Sequence, residues 1–190
     1  FGSSTPTPTP TPTPFTAAIA FVSNKLHANG DVFAASADGS SVVTLTDTTE
    51  IDDGPAISPD GTKIAYQSDF NGNTDIWVKE VGSDPLDPGT CLTAASPYRD
   101  EAPNWSPDGA HIFFHSNRNG DFDIWMMDAD GNNQVAVTAD QRSDGFPCCS
   151  PDGQRLVITR DRELWSIPAA PWTTWGANAD TESVQLTRRY

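Results

Sequence analysis

Three segments of this chain repeat one motif at nearly constant spacing, and this repeat limits the possible folds more than any other feature. Each copy has a proline, two variable residues and then Ser-Pro-Asp-Gly. The serines of these copies, Ser58, Ser106 and Ser150, are 48 and 44 residues apart. An aspartate precedes each leading proline by three residues, at Asp52, Asp100 and Asp144. A repeat of this length with short apolar segments is typical of propeller blades rather than helical solenoids.

Each repeat continues with matched apolar segments that predict the remaining strands. One apolar segment follows the Ser-Pro-Asp-Gly turn, a second ends in tryptophan, and the repeat closes on an apolar residue followed by threonine. Proline and glycine suit the first turn, and Asn-Gly pairs suit the following hairpin. The pattern therefore predicts four short strands per unit, with the units at about 17–46, 47–93, 94–138 and 139–187.

The first unit lacks the strand that would carry the Ser-Pro-Asp-Gly motif. Its segments 19–23, 31–34 and 43–46 match only the second, third and fourth strands of the other units. Either this blade has three strands, or another chain completes it. A closed ring of four blades is feasible, whereas an open arc would expose apolar edges and favour aggregation.

The order P-x-W-S-P-D-G, then D-I-W, D-x-D-G and L-T, resembles the TolB-type propeller repeat, the Pro-Asp-containing relative of the WD repeat. The resemblance covers residues 17–187. It implies an all-β fold, a β-propeller of four TolB-type blades preceded by an extended Thr-Pro tail. Ile57 and Cys149 stand where the repeat usually has tryptophan. TolB-like propellers also usually have about six blades rather than four.

Residues 1–16 form a Thr/Pro-rich tail that differs from the rest of the chain. Alternating threonine and proline predict an extended, semi-rigid linker or stalk, which is also a common O-glycosylation substrate. Proline at every second position removes the donors along one edge, so the segment could also pair as an edge strand. The tail's candidate interface residues are Phe1, Pro6, Pro8, Pro10, Pro12, Pro14 and Phe15, and its candidate glycosylation sites are Thr5, Thr7, Thr9, Thr11 and Thr13.

Outside the tail, most distinctive residues suggest structural roles. We expect the rings of Trp77, Trp105, Trp125 and Trp165 to pack between blades, and Asp52, Asp100 and Asp144 to accept hydrogen bonds near turns. The alternative for the aspartates is to bind calcium or a cationic peptide in the central channel. An insertion at 169–176 carries Trp172 and Trp175, which either anchor an interface or fold back on the blade. Stacking on a carbohydrate is a less favoured alternative for these two rings.

Catalytic motifs are scarce in the sequence. There is no G-x-S-x-G, and His27, His111 and His115 suggest surface positions without a third metal ligand. Cys91, Cys148 and Cys149 are either buried free residues or a disulfide, formed by the adjacent pair or with Cys91. We therefore expect no catalytic residues, no bound metal and no cofactor, and we interpret the chain as a non-enzyme.

The net charge of −15 excludes nucleic acid as a partner and argues against binding to anionic lipid. No apolar run approaches the roughly 20 residues that span a bilayer, so membrane insertion is not expected. The chain begins at Phe1 without a signal-peptide pattern, so either a targeting segment was removed or this is a segment of a longer product. We expect an extracellular or periplasmic location.

Two functional interpretations carry the most weight. The leading one is a non-catalytic structural protein that assembles into a filament or another homo-oligomer through its Thr-Pro tail and blade edges. The alternative is a monomeric, TolB-like envelope propeller that binds other proteins. A lyase or hydrolase working in the propeller channel is less favoured.

Overall fold

The computed structural model describes residues 17–168 and 183–187, and these ranges contain 15 β-strands and no helix. The strands are β1 (Ile19–Ser23), β2 (Asp31–Ala35), β3 (Val42–Thr44), β4 (Asp52–Ile57), β5 (Lys63–Ser68), β6 (Asp75–Glu80), β7 (Thr90–Cys91), β8 (Asp100–Trp105), β9 (His111–Ser116), β10 (Asp123–Asp128), β11 (Val135–Ala136), β12 (Asp144–Cys149), β13 (Arg155–Arg160), β14 (Glu163–Pro168) and β15 (Val184–Gln185). No helix in these ranges is long and apolar enough to cross a membrane.

The strands form four antiparallel sheets in chain order, which we term blades 1 to 4. Blade 1 contains β1–β3, and the other blades contain β4–β7, β8–β11 and β12–β15. The first strands of blades 2, 3 and 4 contact one another in succession and are the inner strands. The all-β propeller architecture predicted from the repeat is confirmed, and among the described residues blade 1 has no inner strand.

The Ser-Pro-Asp-Gly turn joins each inner strand to the next strand through the same small network. In blade 2 the hydroxyl of Ser58 donates to Asp60 Oδ1 at 2.6 Å, and the amide of Gly61 donates to the carbonyl of Ser58 at 2.8 Å. Gly61 has a φ of +72°, which glycine adopts without strain. The serine hydroxyl, as the largest influence, lowers the pKa of the Asp60 carboxyl. The motif is therefore a turn-forming unit.

The closing threonine of each unit ties the end of the blade to its third strand. The amide of Ile76 donates to Thr93 Oγ1 at 3.0 Å, and the Thr93 hydroxyl donates to Asp75 Oδ1 at 2.7 Å. Thr138 bonds Ile124 and Asp123 in the same way in blade 3. The recurring D-I-W and L-T motifs are therefore hydrogen-bonded to each other within each of these blades.

A β-bulge interrupts each inner strand, and one residue of each bulge has a left-handed backbone. The residues are Gly54, Ala102 and Phe146, with φ values of +59°, +50° and +51°. Glycine takes this conformation freely, whereas a residue with a side chain pays about 1–3 kcal/mol for it. The last inner strand thus holds a strained phenylalanine where the first has an unstrained glycine.

Three apolar clusters fill the interfaces between neighbouring blades. We define the leading face of a blade as the face toward the preceding blade, and the trailing face as the opposite one. At the leading faces of blades 2 and 3, Ile64, Tyr66, Ile112 and Phe114 have no exposed surface. Burial of this kind contributes roughly 25 cal/mol for each Å² of apolar surface, so these interfaces are the main source of stability.

The described blades form an open arc. Blade 4 contacts only blade 3, blade 1 contacts only blade 2, and no described strands of blades 4 and 1 touch. On the leading face of blade 1, Ile19 is 48% and Phe21 38% exposed, although the matching Ile64 and Tyr66 are fully buried. On the trailing face of blade 4, Leu164 is 41% and Leu186 53% exposed. Both ends of the arc therefore present apolar faces of the kind that pack together inside it.

Candidate functional site

The three inner-strand aspartates are buried, and two of them pair with arginine. Asp144 accepts from Arg160 Nε and Nη2 at 2.7 and 2.6 Å, and both side chains are almost fully buried. Asp100 accepts from Arg118 Nη2 at 2.7 Å. Asp52 instead accepts from the Thr48 hydroxyl at 2.9 Å, and burial raises the pKa of its carboxyl. These partners give the aspartates a role inside the blades.

The tryptophans lie at the interfaces between blades. Trp77 belongs to the cluster between blades 1 and 2, and Trp105 donates its Nε1–H to the carbonyl of Ala56 in the preceding blade at 3.0 Å. Trp125 and Trp165 are partly buried against the next two clusters. Phe33, the blade-1 counterpart of these rings, stacks on Phe21 at the open end of the arc, with ring centroids 5.5 Å apart.

The predicted residues of the tail and the insertion lie outside the part of the chain that the structure describes. The predicted interface and glycosylation residues that lie outside the described ranges are Phe1, Thr5, Pro6, Thr7, Pro8, Thr9, Pro10, Thr11, Pro12, Thr13, Pro14, Phe15, Trp172 and Trp175.

The surface position predicted for the histidines is wrong for His115, which is only 5% exposed. His115 lies on β9 of blade 3, which contacts the inner strand β12 of blade 4, and blade 4 therefore covers its side chain. The amide of Phe146 donates to His115 Nδ1 at 3.1 Å, and His115 Nε2 lies 3.2 Å from Glu101 Oε2. Because Nδ1 accepts, Nε2 carries the proton and donates to Glu101. This hydrogen bond lowers the pKa of the Glu101 carboxyl.

Blades 2 and 3 are joined by a matching hydrogen bond, in which a side chain of one blade accepts from a bulge amide of the next. There the amide of Ala102 donates to Gln67 Oε1 at 2.8 Å, and Gln67 occupies on β5 the place of His115 on β9. Both side chains accept from the left-handed bulge residue of the following blade. His115 therefore has a structural counterpart, and its two ring nitrogens are both engaged.

A cleft of about 680 Å³ opens between blades 3 and 4, and His115 and Phe146 are among the residues that line it. His115, Phe122 and Phe146 form an aromatic wall, in which the rings of Phe122 and Phe146 lie edge-on to His115 at 4.9 and 5.2 Å. The charged residues of the lining are three acids, Glu101, Asp144 and Asp161, and one base, Arg162. Phe146 is 67% exposed in spite of its strained backbone. The cleft therefore combines an apolar surface with a few polar groups, as ligand pockets commonly do.

Sequence reasoning missed this cleft because its wall comes from two blades. A signal was nevertheless present in the repeat. Aligned on their prolines, the three inner strands begin Asp-Asp-Gly, Asp-Glu-Ala and Asp-Gly-Phe, so a large aromatic residue stands at a position that favours glycine.

One group of side chains approaches a metal-binding arrangement, contrary to the expectation that no histidine has further ligands. Ligand atoms of His27, Asp31 and Asp47 all lie within 4.8 Å of one another. However, Asn71 holds the place of His27 in blade 2, where it donates to Asp75 Oδ2 at 2.8 Å. A hydrogen bond to Asp31 therefore accounts for the position of His27.

All three cysteines are free thiols. Cys91 lies in blade 2 and the adjacent pair in blade 4, so of the alternatives left open by the sequence the structure has the unpaired one. The expected burial is wrong for Cys148, which is exposed, whereas Cys91 and Cys149 are partly buried. Burial raises the pKa of the Cys91 thiol to about 11 and of the Cys149 thiol to about 12. A thiol of such high pKa is a poor nucleophile at neutral pH, because the thiolate is the reactive form.

Comparison with known proteins agrees with this architecture. A family profile described as the TolB beta propeller domain matches residues 7–165. The Protein TolB homolog of Chlorobaculum tepidum is 35% identical over 69 residues, which are 36% of this chain and 16% of that protein. The chain thus spans only a small part of this relative.

Solved structures share the fold at low identity. The putative TolB from Agrobacterium tumefaciens has a TM-score of 0.72 and 23% identity, over 88% of this chain and 60% of that one. TolB from Acinetobacter baumannii has a TM-score of 0.68 and 19% identity, over 79% and 38%. A puromycin hydrolase has a TM-score of 0.59 and 16% identity, over 74% and 25%. Since the family profile covers most of the chain, including two complete repeats, this protein belongs to the TolB β-propeller domain family.

Proposed function

We propose that this chain is a non-catalytic, protein-binding propeller of the cell envelope or exterior. The cleft between blades 3 and 4 receives an apolar side chain from an extended segment of a partner protein. The observation that carries this proposal is Phe146, whose exposed ring borders the cleft from a strained backbone position. Backbone strain of this kind is concentrated at binding sites, where it persists because it holds a side chain in the position that binding needs.

The chemistry of the cleft suits binding better than a reaction. The aromatic wall offers edges and faces for an aromatic or aliphatic side chain, and exposed rings of this kind often anchor protein interfaces. His115, its most reactive side chain, is engaged at both ring nitrogens. The chain's net charge of −15 favours a partner segment with lysine or arginine near the anchoring residue.

Replacing Phe146 with glycine should separate binding from stability. We expect binding of selected peptides to weaken at least about tenfold, because a lost aromatic anchor costs about 2 kcal/mol or more. The free energy of unfolding should stay equal or rise, since glycine relieves the left-handed strain. Peptides of 12 residues would be selected on the immobilised wild-type protein, and their dissociation constants measured by fluorescence anisotropy.

Ala102→Gly is the matched control, because it relieves the same strain at the corresponding bulge without touching the cleft. It should leave peptide binding unchanged. If both variants bind the selected peptides as tightly as the wild type, the cleft is not the binding site.

Self-assembly is a second candidate, and the open ends of the arc favour it. The exposed trailing face of blade 4 is of the same type as the faces that pack on leading faces inside the arc. Two copies could therefore join head to tail, a contact that produces rings or filaments. The tail-mediated assembly considered from the sequence is an alternative route to the same product.

The assembly hypothesis predicts that light scattering shows a rising average mass between low and high micromolar protein. Leu164→Glu should keep the protein monomeric, because it places a charge in the contact between copies. Leu86→Glu is the control, since Leu86 is 68% exposed and lies in the loop between β6 and β7 of blade 2, not on blade 1 or blade 4. A wild-type protein that remains monomeric throughout the concentration series would contradict this candidate.

A further inference from the structure

Strand β1 has a free hydrogen-bonding edge. The amide of Leu45 donates to the carbonyl of Val32 at 2.8 Å, so the backbone groups of Val32 point toward β3. The backbone groups of its neighbours Asp31 and Phe33 therefore point toward β1. The partners of these two residues, Ser23 and Phe21, therefore face β2. Because neighbouring residues in a strand point their backbone groups in opposite directions, Ala20 and Val22 face away from β2. In the described part of the chain no strand pairs with that edge.

In blades 2, 3 and 4 this edge carries the inner strand. The internal repeat shows which residues correspond to it in blade 1. Ile19–Ser23 matches Ile64–Ser68 with a shift of 45 residues. The same shift places residues 7–12 on β4 and Thr13-Pro14 on Ser58-Pro59 of the turn. In this sequence alignment the Thr-Pro segment corresponds to the inner strand of the other blades.

The alternation of proline fits this register. The amide of Ser58 donates to the carbonyl of Lys63 at 2.9 Å, so Ser58 and Ala56 are the donors toward β5, and the intervening Ile57 is not. The corresponding tail residues are Thr13 and Thr11 as donors and Pro12 between them. Between Thr11 and Thr13, proline therefore falls where no donor is needed, as it does on edge strands. In β4 the bulge makes Asp53, opposite Gln67, a further donor, so the alternation through Pro8 fits a docked strand that lacks this bulge.

Two further observations agree with this placement. The amide of Ala17 donates to the carbonyl of Gly61 at 3.2 Å, so the chain enters β1 beside the Ser-Pro-Asp-Gly turn of blade 2. At this end of the other blades the inner strand leads into the second strand. The match to the family profile also begins at residue 7, inside the Thr-Pro segment and at the first residue aligned with β4.

We propose that residues 7–13 form the inner strand of blade 1, docked antiparallel on β1 of the same chain. The segment that resembles a linker is then part of the propeller. The docked strand completes blade 1 to four strands, and the shift pairs Pro12 with Ile19, as Ile57 pairs with Ile64.

A pair of cysteines tests this register. In a background with the three native cysteines changed to serine, Pro12→Cys with Ile19→Cys should form a disulfide within one chain under mild oxidation. Cα atoms of directly opposed residues lie about 4.5–5.5 Å apart, which a disulfide can span. Pro8→Cys with Ile19→Cys is the control, since its two positions would lie about four residues out of register and should give at least tenfold less product.

Mixing ¹⁵N-labelled and unlabelled chains before oxidation distinguishes the two possible donors of the strand. Cross-linked peptides carrying a single label support docking within one chain, whereas mixed labels would show that the segment comes from a second copy and overturn the proposal. Equal yields from both cysteine pairs would also overturn it, because a freely moving tail reaches both.

Hydrogen exchange on the unmodified protein gives an independent check: the amide of Ala20 should be protected as strongly as that of Ala65, and rapid exchange contradicts docking.

Discussion

Asp144→Asn is expected to lower the free energy of unfolding by about 3–5 kcal/mol, among the largest effects of any near-isosteric change in this chain. Asp144 is fully buried and holds the guanidinium of Arg160, itself 1% exposed, by two hydrogen bonds. Asparagine fills the same space but removes the charge and one of the two acceptors. The buried guanidinium then loses its closest carboxylate, although Asp140 Oδ2 remains 3.6 Å away.

The matched control is Asp52→Asn, the same substitution at the corresponding position of blade 2. Asp52 accepts from hydroxyl groups, and burial already raises the pKa of its carboxyl. Its loss should therefore cost only about 1 kcal/mol, as for an ordinary hydrogen bond. Urea unfolding at neutral pH measures both variants. Equal losses at the two positions would mean that the ion pair contributes nothing beyond an aspartate at the start of the inner strand.

Trp105→Ala is expected to cost about 3–5 kcal/mol, as for other buried aromatic residues replaced by alanine. The indole is 7% exposed, lies in the cluster between blades 2 and 3, and donates to the carbonyl of Ala56 across the interface. Its removal leaves a cavity and takes away the hydrogen bond from the indole to this carbonyl. The effect should appear as a lower denaturation midpoint in urea, followed by tryptophan fluorescence.

Trp105→Phe separates the two contributions. The phenyl ring keeps most of the buried surface and loses the indole donor, so a cost of about 1 kcal/mol is expected. Blades 2 and 4 form comparable interfaces with Ile57 and Cys149 at this position, which shows that the indole is not required by the fold. If Trp105→Ala costs no more than Trp105→Phe, the neighbouring side chains close the cavity and the interface is more adaptable than its packing suggests.

The strands and turns of this fold were predictable because their signals are local and occur in several copies. The segments predicted at 31–34 and 43–46 correspond to β2 and β3, within one or two residues at each end. The fourth strand of blade 1 ends early, at Thr44, because the amides of Leu45 and Thr46 both bond the carbonyl of Val32. Such end effects depend on geometry that apolar patterns do not contain.

The cleft and the open ends of the arc were not predictable in the same way. His115 looks like a surface residue in sequence, and only the inner strand of the following blade covers it. The exposure of Ile19 likewise depends on what packs against blade 1, not on its own strand. Interfaces between blades join residues distant in sequence, as the bond from Trp105 to Ala56, 49 positions away, illustrates.

The open arc of the described blades sets how those blades unfold. Each blade is coupled only to its neighbours, so the stability of the array is close to a sum of blade and interface contributions. A closed ring has no terminal unit, and opening it requires breaking two interfaces at once. An arc can fray from either end, one blade at a time, while blades 2 and 3 stay folded. Its cooperativity therefore resembles that of a linear solenoid more than that of a ring.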